Sequence, residues 1–219
     1  ILGHHSAILV SAGVAFLNQT REDGFALHPG TLTEAEWQRT QLLYVCSPGN
    51  PTGHVLDLEA WREIFARSDR HGFVIASDEC YSEIYPDEAR PPLGGLEAAN
   101  RLGRSDFRNL VVFTSLSKRS NAPGLRSGAV AGDAAVLKSF LLYRTYHGSA
   151  MSEAVQHASI AAWNDESHVR DNRTRYRESF EAVLPILGPV MEVYQPDAGF
   201  YVWARVPGGD DQAFARDLF

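Results

Sequence analysis

The sequence predicts a layered α/β domain followed by the start of a smaller α+β one, and three observations carry that prediction. Short apolar runs of strand type alternate with helical patterns over roughly the first 165 residues. Those runs are apolar at successive positions, as expected for a sheet covered on both faces. After a long amphipathic helix the pattern changes to two strand-type runs around a turn.

Taken in order, Gln41–Cys46 (QLLYVC) is the first strand. Asp57 then caps a helix whose Leu58, Trp61, Ile64 and Phe65 share one face, ending near Gly72. Phe73–Ser77, Leu110–Thr114 and Ser127–Ala131 read as further strands. Helical spacing predicts helices over 133–146, 152–164 and 166–187. In the last, Val169, Tyr176, Phe180, Val183, Leu184 and Leu187 form a stripe opposite arginines and acids. Val190–Tyr194 and Phe200–Val206 read as a hairpin-like pair around Gln195–Gly199, and residues 210–219 form an amphipathic run. The change of pattern places a boundary near residue 165, with a large unit over 1–165 and a connecting helix plus part of a smaller unit over 166–219.

A hydrophobic fraction of 44% over 219 residues is ample for a core. Twenty basic residues against 27 acidic ones give a formal charge of −7, without the basic face a nucleic-acid partner requires. Apolar stretches are too short for a membrane-spanning helix, and no signal peptide is expected. Cys46 and Cys80 sit in apolar, strand-like contexts, which suits reduced thiols and a cytoplasmic protein better than a disulfide scaffold. The eight histidines lack paired ligand spacing, and GxxxxGK[ST] and GxSxG are absent. That removes the simplest metal, nucleotide-hydrolase and serine-hydrolase readings. The His4–His5 pair reads equally as native or as a leftover tag.

Ligands of open α/β sheets bind beyond the carboxyl ends of the strands, so the loops after each strand are the place to look for chemistry. They carry Asn50, then Asp78 and Tyr81, then Ser115, Ser117, Lys118 and Arg126. Singly, each has a bland reading. The Ser47–Gly53 loop is a Pro/Gly turn, Asp78 a helix cap, and Tyr81 a rim residue. The two serines are turn hydroxyls and Arg126 a surface charge. Lys118 stands out because 18 of the 20 basic residues are arginine and only Lys118 and Lys138 are lysine. Arginine cannot replace lysine in carbonyl chemistry, since a guanidinium stays protonated while an amine can attack. Lys138, beside Leu137 and Phe140, reads as a solvated flank.

Together, Asn50-Pro51-Thr52-Gly53, Asp78-x-x-Tyr81, and Ser115-x-x-Lys118 followed eight residues later by Arg126 resemble one family over residues 7–219. It is the fold-type-I, pyridoxal-phosphate-dependent aminotransferases of classes I and II. The stretches Ser77–Tyr85 and Thr114–Gly128 are most similar to the N-succinyldiaminopimelate aminotransferases of bacterial lysine biosynthesis. The resemblance implies a three-layer αβα large domain with a mostly parallel sheet, pyridoxal 5′-phosphate as cofactor and a homodimeric full-length protein. It also implies amino transfer from glutamate to N-succinyl-2-amino-6-oxopimelate in a ping-pong cycle.

By the same resemblance Lys118 is the Schiff-base lysine and general base, and Asp78 pairs with the pyridine nitrogen. Tyr81 and Asn50 serve the ring oxygen. Arg126, Ser115 and Ser117 hold the phosphate, and the Asn50–Pro51 bond is expected to be cis. A pyridoxal-phosphate β- or γ-lyase shares these core residues, and a truncated, non-catalytic cofactor-binding domain is a third reading. The family's phosphate-binding Gly/Ser/Thr loop, ring-stacking aromatic and partner-subunit tyrosine are expected upstream of Ile1, and its carboxylate-clamping arginine downstream of Phe219. Arg205 follows the Gly199–Trp203 run too closely to be that arginine. The chain is therefore expected to be the central part of a longer enzyme, with impaired activity by itself.

Overall fold

A computed structural model describes residues 12–218, so the His4–His5 pair lies outside the described residues. Strands β1 (Leu42–Cys46), β2 (Val74–Asp78), β3 (Leu110–Ser115) and β4 (Gly128–Gly132) form one sheet in that order. The first three run parallel and β4 returns antiparallel to β3, so the sheet is mostly parallel. Helix α1 (Glu34–Arg39) precedes β1, and α2 (Leu58–His71) is the crossover from β1 to β2. Helices α3 (Gly95–Arg101) and α4 (Leu116–Arg119) flank β3. Beyond the sheet come α5 (Ala134–His147), α6 (Glu153–Asn164) and the long α7 (Ser167–Leu187). A separate antiparallel pair, β5 (Glu192–Tyr194) and β6 (Trp203–Arg205), and α8 (Asp211–Asp217) complete the described residues.

Local chemistry accounts for the element ends. The Asp57 carboxylate accepts from the Ala60 amide at 2.8 Å, and Gly72 closes α2 at φ +79°, a left-handed conformation that glycine adopts without a Cβ penalty. The core sits between α1–α3 and one face of the sheet. There Trp61, Ile64 and Phe65 of α2 meet Leu43, Ile75 and Leu110 of the strands, with Trp37 stacked on Phe73 at 5.4 Å. Coverage of the other face is uneven. Leu42 and Tyr44 of β1 are 58% and 52% exposed, whereas Phe113 of β3 meets Phe140 of α5 edge-on at 6.2 Å. The continuous apolar run of β1 therefore has one buried face among the described residues, not two.

Two predicted features differ in detail, and two short helices appear that the sequence did not predict. Helices α1 and α3 went unanticipated because six and seven residues are too few for a periodic signal, although Thr33 and Glu36 form a capping box at α1. The stripe expected along α7 is buried only near its start, and the buried residues there are Val169, Asn172 and Arg173. Arg173 reaches Glu88 at 2.8 Å through both Nε and Nη2 and Glu83 at 3.1 Å, and lies 4.5 Å over the Tyr85 ring. The second hairpin strand is Trp203–Arg205, so Phe200 and Tyr201 lie outside it. No helix among the described residues is long and apolar enough to cross a membrane.

Candidate active site

Parallel pairing brings the chemistry-bearing residues to one edge. Cys46 pairs with Asp78 in register, so the loop after β1 and the turn after β2 leave the sheet side by side. Ser115 ends β3 opposite Gly128 of β4. The Ser47–Pro48 and Asn50–Pro51 peptide bonds are both cis.

The Asn50 side-chain amide donates to the Tyr81 hydroxyl at 3.3 Å, and Tyr81 is itself buried. Asp78 accepts from the Cys80 amide at 3.2 Å, and the Tyr44 hydroxyl stands 3.5 Å from its other oxygen. No cation pairs with Asp78 among the described residues. Lys118, on the single-turn helix α4, lies with Nζ 5.1 Å from the Phe200 ring centre and 5.9 Å from that of Tyr81. No carboxylate among the described residues pairs with it. Ser115 caps that turn by accepting the Ser117 amide at 3.3 Å, and its hydroxyl reaches Cys80 Sγ at 3.5 Å. Arg126 is exposed, two residues before the partner of Ser115, and among the described residues it donates only to the Pro123 carbonyl, at 2.8 Å. Asn50, Asp78, Tyr81, Ser115 and Lys118 thus share one crevice with Ser117 on its α4 wall, while Arg126 stands at the rim without touching them.

Charge shapes this crevice. Burial, reinforced by the Asp78 carboxylate, pushes the Tyr44 phenol and the Cys46 thiol up to about 12. The Cys80 thiol is pushed up to about 11, again mainly by burial. Both thiols are free and protonated at neutral pH. Tyr81 is raised by burial first and by its hydrogen bond to Tyr201 second. Next to Asp78, the buried Glu79 accepts from the Ser77 hydroxyl and the Gly95 amide, both at 2.8 Å, which ties the strand end to the start of α3. A cavity of about 240 Å³ near β5 and β6, walled by Phe25, Tyr194, Trp203 and Arg205, shares no residue with this group.

The turn bearing Lys118 is held from behind while its amine is left unpaired. Asn172 of α7 donates to the Lys118 carbonyl at 3.4 Å and accepts from Asn121 at 2.5 Å. Arg119 is buried against Glu166, the Ala162 carbonyl and the Trp163 ring. His168 bridges Ser120 at 2.8 Å and Asp165 at 2.7 Å.

Sequence reasoning missed Phe200 and Tyr201. Tyr201 Oη lies 2.9 Å from Tyr81 Oη, and Phe200 packs edge-on to Tyr81 and face-on to Tyr176. Their signal, Gly199-Phe-Tyr, was absorbed into an apparent strand. Of the predicted site residues, Asp78, Lys118 and Arg126 have no charged partner among the described residues, and the neutral donors Asn50 and Tyr81 lie with them. Such a set suits a ligand carrying a cationic nitrogen, a carbonyl and a phosphate.

The family model described as "Aminotransferase class I and II" matches residues 3–219. A crystal structure of an aminotransferase from Neisseria meningitidis superposes with a TM-score of 0.93 at 58% identity, covering 99% of this chain and 55% of that one. An LL-diaminopimelate aminotransferase of Maridesulfovibrio salexigens is 30% identical over 86% of this chain and 48% of its own length. A probable N-succinyldiaminopimelate aminotransferase from Thermus thermophilus shares the fold, with a TM-score of 0.86 at 22% identity over 98% of this chain and 56% of that one. The chain thus spans about half the length of the relatives it matches.

Proposed function

This chain belongs to the class I and II aminotransferases, and from that premise we propose that the whole protein moves an amino group from glutamate to an oxo acid, with N-succinyl-2-amino-6-oxopimelate as acceptor. The family depends on pyridoxal 5′-phosphate, and the unpaired Asp78, Lys118 and Arg126 around the Asn50–Tyr81 hydrogen bond fit that group. This arrangement of unpaired charges is the observation that carries the reading. Pyridoxal phosphate supplies an aldehyde that takes up an amine and a ring that accepts the electron pair released at the substrate Cα.

The chain's residues divide the remaining work. The Asp78 carboxylate pairs with the ring nitrogen and keeps its proton in place. Tyr81 and Asn50 donate to the ring oxygen. Arg126, with Ser115 and Ser117, holds the phosphate, for which an exposed guanidinium at the rim is suited. Lys118 is the residue that would hold the cofactor through its aldehyde, and its Nζ would be the base that moves the proton at the substrate Cα. The Tyr81 and Phe200 rings lie beside that amine, 5.9 and 5.1 Å from it to their centres. The LL-diaminopimelate aminotransferase relative supports an oxo-acid acceptor of the diaminopimelate skeleton. The reading includes a cytoplasmic homodimer, with a large unit over 1–165 and, over 166–219, the connecting helix α7 and part of a smaller unit.

Borohydride reduction of the cofactor-loaded protein, followed by peptide mapping, is expected to mark Lys118. An unmodified Lys118 in a loaded sample overturns the reading. Glutamate-dependent transfer to N-succinyl-2-amino-6-oxopimelate, without ammonia release from single amino acids, separates it from a β- or γ-lyase on the same residues.

A further inference from the structure

Tyr201 reaches the site from far along the chain, and three backbone-anchored contacts deliver it. The Val55 amide donates to Asp197 at 3.1 Å, the Ala198 amide to the Gly53 carbonyl at 3.1 Å, and the Gly199 amide to the Ile84 carbonyl at 2.7 Å. Residues 197–199 are thereby pinned between the loop carrying Asn50 and the turn carrying Tyr81. Gly199, at φ +85°, then turns the chain so that Phe200 and Tyr201 both face Tyr81.

A phenol offers one proton and two lone pairs. The Asn50 atom that faces Tyr81 is Nδ2, which can only donate, so it occupies one lone pair at 3.3 Å. Tyr201 Oη, 2.9 Å away, is able either to give its proton to Tyr81 or to take Tyr81's. If Tyr201 takes the proton, Tyr81 has none left for a ligand. If Tyr201 gives its own, both lone pairs of Tyr81 are filled and its single proton points out of the trio, into the crevice that Lys118 borders. A hydroxyl that accepts two hydrogen bonds is also polarised into a stronger donor.

We propose that Tyr201 is a positioning residue: its hydroxyl donates to Tyr81, so that Tyr81's only proton is held toward the ring oxygen of the bound cofactor. This rests on the reading of Tyr81 as the ring-oxygen donor. It also couples the segment after α7 to the cofactor, because any movement that lifts residues 197–199 takes Tyr201 with it.

The test is a pH titration of the visible band of the lysine-linked cofactor in the full-length protein, for wild type, Tyr201→Phe, Tyr81→Phe and the double variant. Phenylalanine keeps the ring packing, so each variant retains the fold. Tyr201→Phe is expected to raise the midpoint by about 0.5 unit, the scale of a neighbour's reinforcement of one charged hydrogen bond. In the Tyr81→Phe background it is expected to change nothing, since the effect passes through the Tyr81 hydroxyl. An unmoved midpoint in Tyr201→Phe, or the same shift with and without Tyr81, overturns the proposal while leaving the function intact. A wild-type protein that forms no lysine-linked band overturns the functional reading, and this proposal with it.

Discussion

Replacing Gly53 with alanine is expected to cost far more than the same change at Gly72, although both glycines are left-handed, at φ +71° and +79°. A residue with a Cβ in that region costs about 1–2 kcal/mol. At Gly72 that is the whole cost, because an added Cβ meets no atom within 4 Å. At Gly53 the added Cβ overlaps Pro196 Cβ and the Ala198 carbonyl oxygen, neither of which is the end of a flexible side chain. The Pro196–Gly199 segment must therefore lift. It would forfeit the Val55–Asp197, Ala198–Gly53 and Gly199–Ile84 hydrogen bonds, each worth about 1 kcal/mol. The expected destabilisation at Gly53 is about 4–5 kcal/mol for the docked segment, against about 1–2 kcal/mol at Gly72. Urea melts of both variants measure the difference. Amide hydrogen exchange locates it, with protection lost at Ala198 and Gly199 in the Gly53 variant only. Equal melts for the two variants, with those amides still protected, would refute the claim that segment docking depends on the bare backbone at Gly53.

Three further changes probe charge. Asp78→Asn removes the carboxylate that helps hold the Cys46 and Cys80 thiols at about 12 and 11, so both fall and alkylation by iodoacetamide at pH 9 should speed up. Burial remains the larger cause, so the acceleration is partial, and unchanged rates would show that Asp78's charge is not felt there. Arg173 is 7% exposed at its side chain while Glu88 is 47% exposed, so the two ends of that pair are unequal. Arg173→Met leaves acids that water can reach and should cost about 1–2 kcal/mol. Changing both Glu83 and Glu88 to alanine strands a buried guanidinium and should cost about 3–5 kcal/mol. Thermal melts that reverse this order would refute it. Arg173 also holds Glu88 below its ordinary 4.5. Its contribution is therefore full above that pH and fades as pH falls through the lowered value. Arg173→Met should flatten that acid limb of the stability curve.

Much of the molecule was legible in the sequence because the signals involved are local. The caps at Asp57 and Gly72 and the strand runs before Asp78 and Ser115 each depend on a few neighbouring residues. The same holds for Lys118, whose oddity is visible in the composition alone. Once strands are known to end there, the rule that ligands gather beyond strand ends brings Asn50, Asp78, Tyr81 and Lys118 to one place. Periodicity was least informative where polar residues take buried positions. The start of α7 buries Asn172 and Arg173, a choice made by Lys118's carbonyl and by Glu83 and Glu88 on other elements.

Tyr201 shows where local reading ends. It lies 120 residues from the hydroxyl it meets, and Gly199-Phe-Tyr-Val-Trp203 reads locally as the start of a continuous apolar strand run. Only packing decides otherwise. Gly53 has no side chain to stop residues 196–198 from settling onto it, and the Gly199 amide finds the Ile84 carbonyl rather than a strand partner. Residue type and spacing specify which groups are available and on which elements. Which of them touch across such a sequence separation depends on steric clearance and hydrogen-bond partners that exist only once the chain has folded.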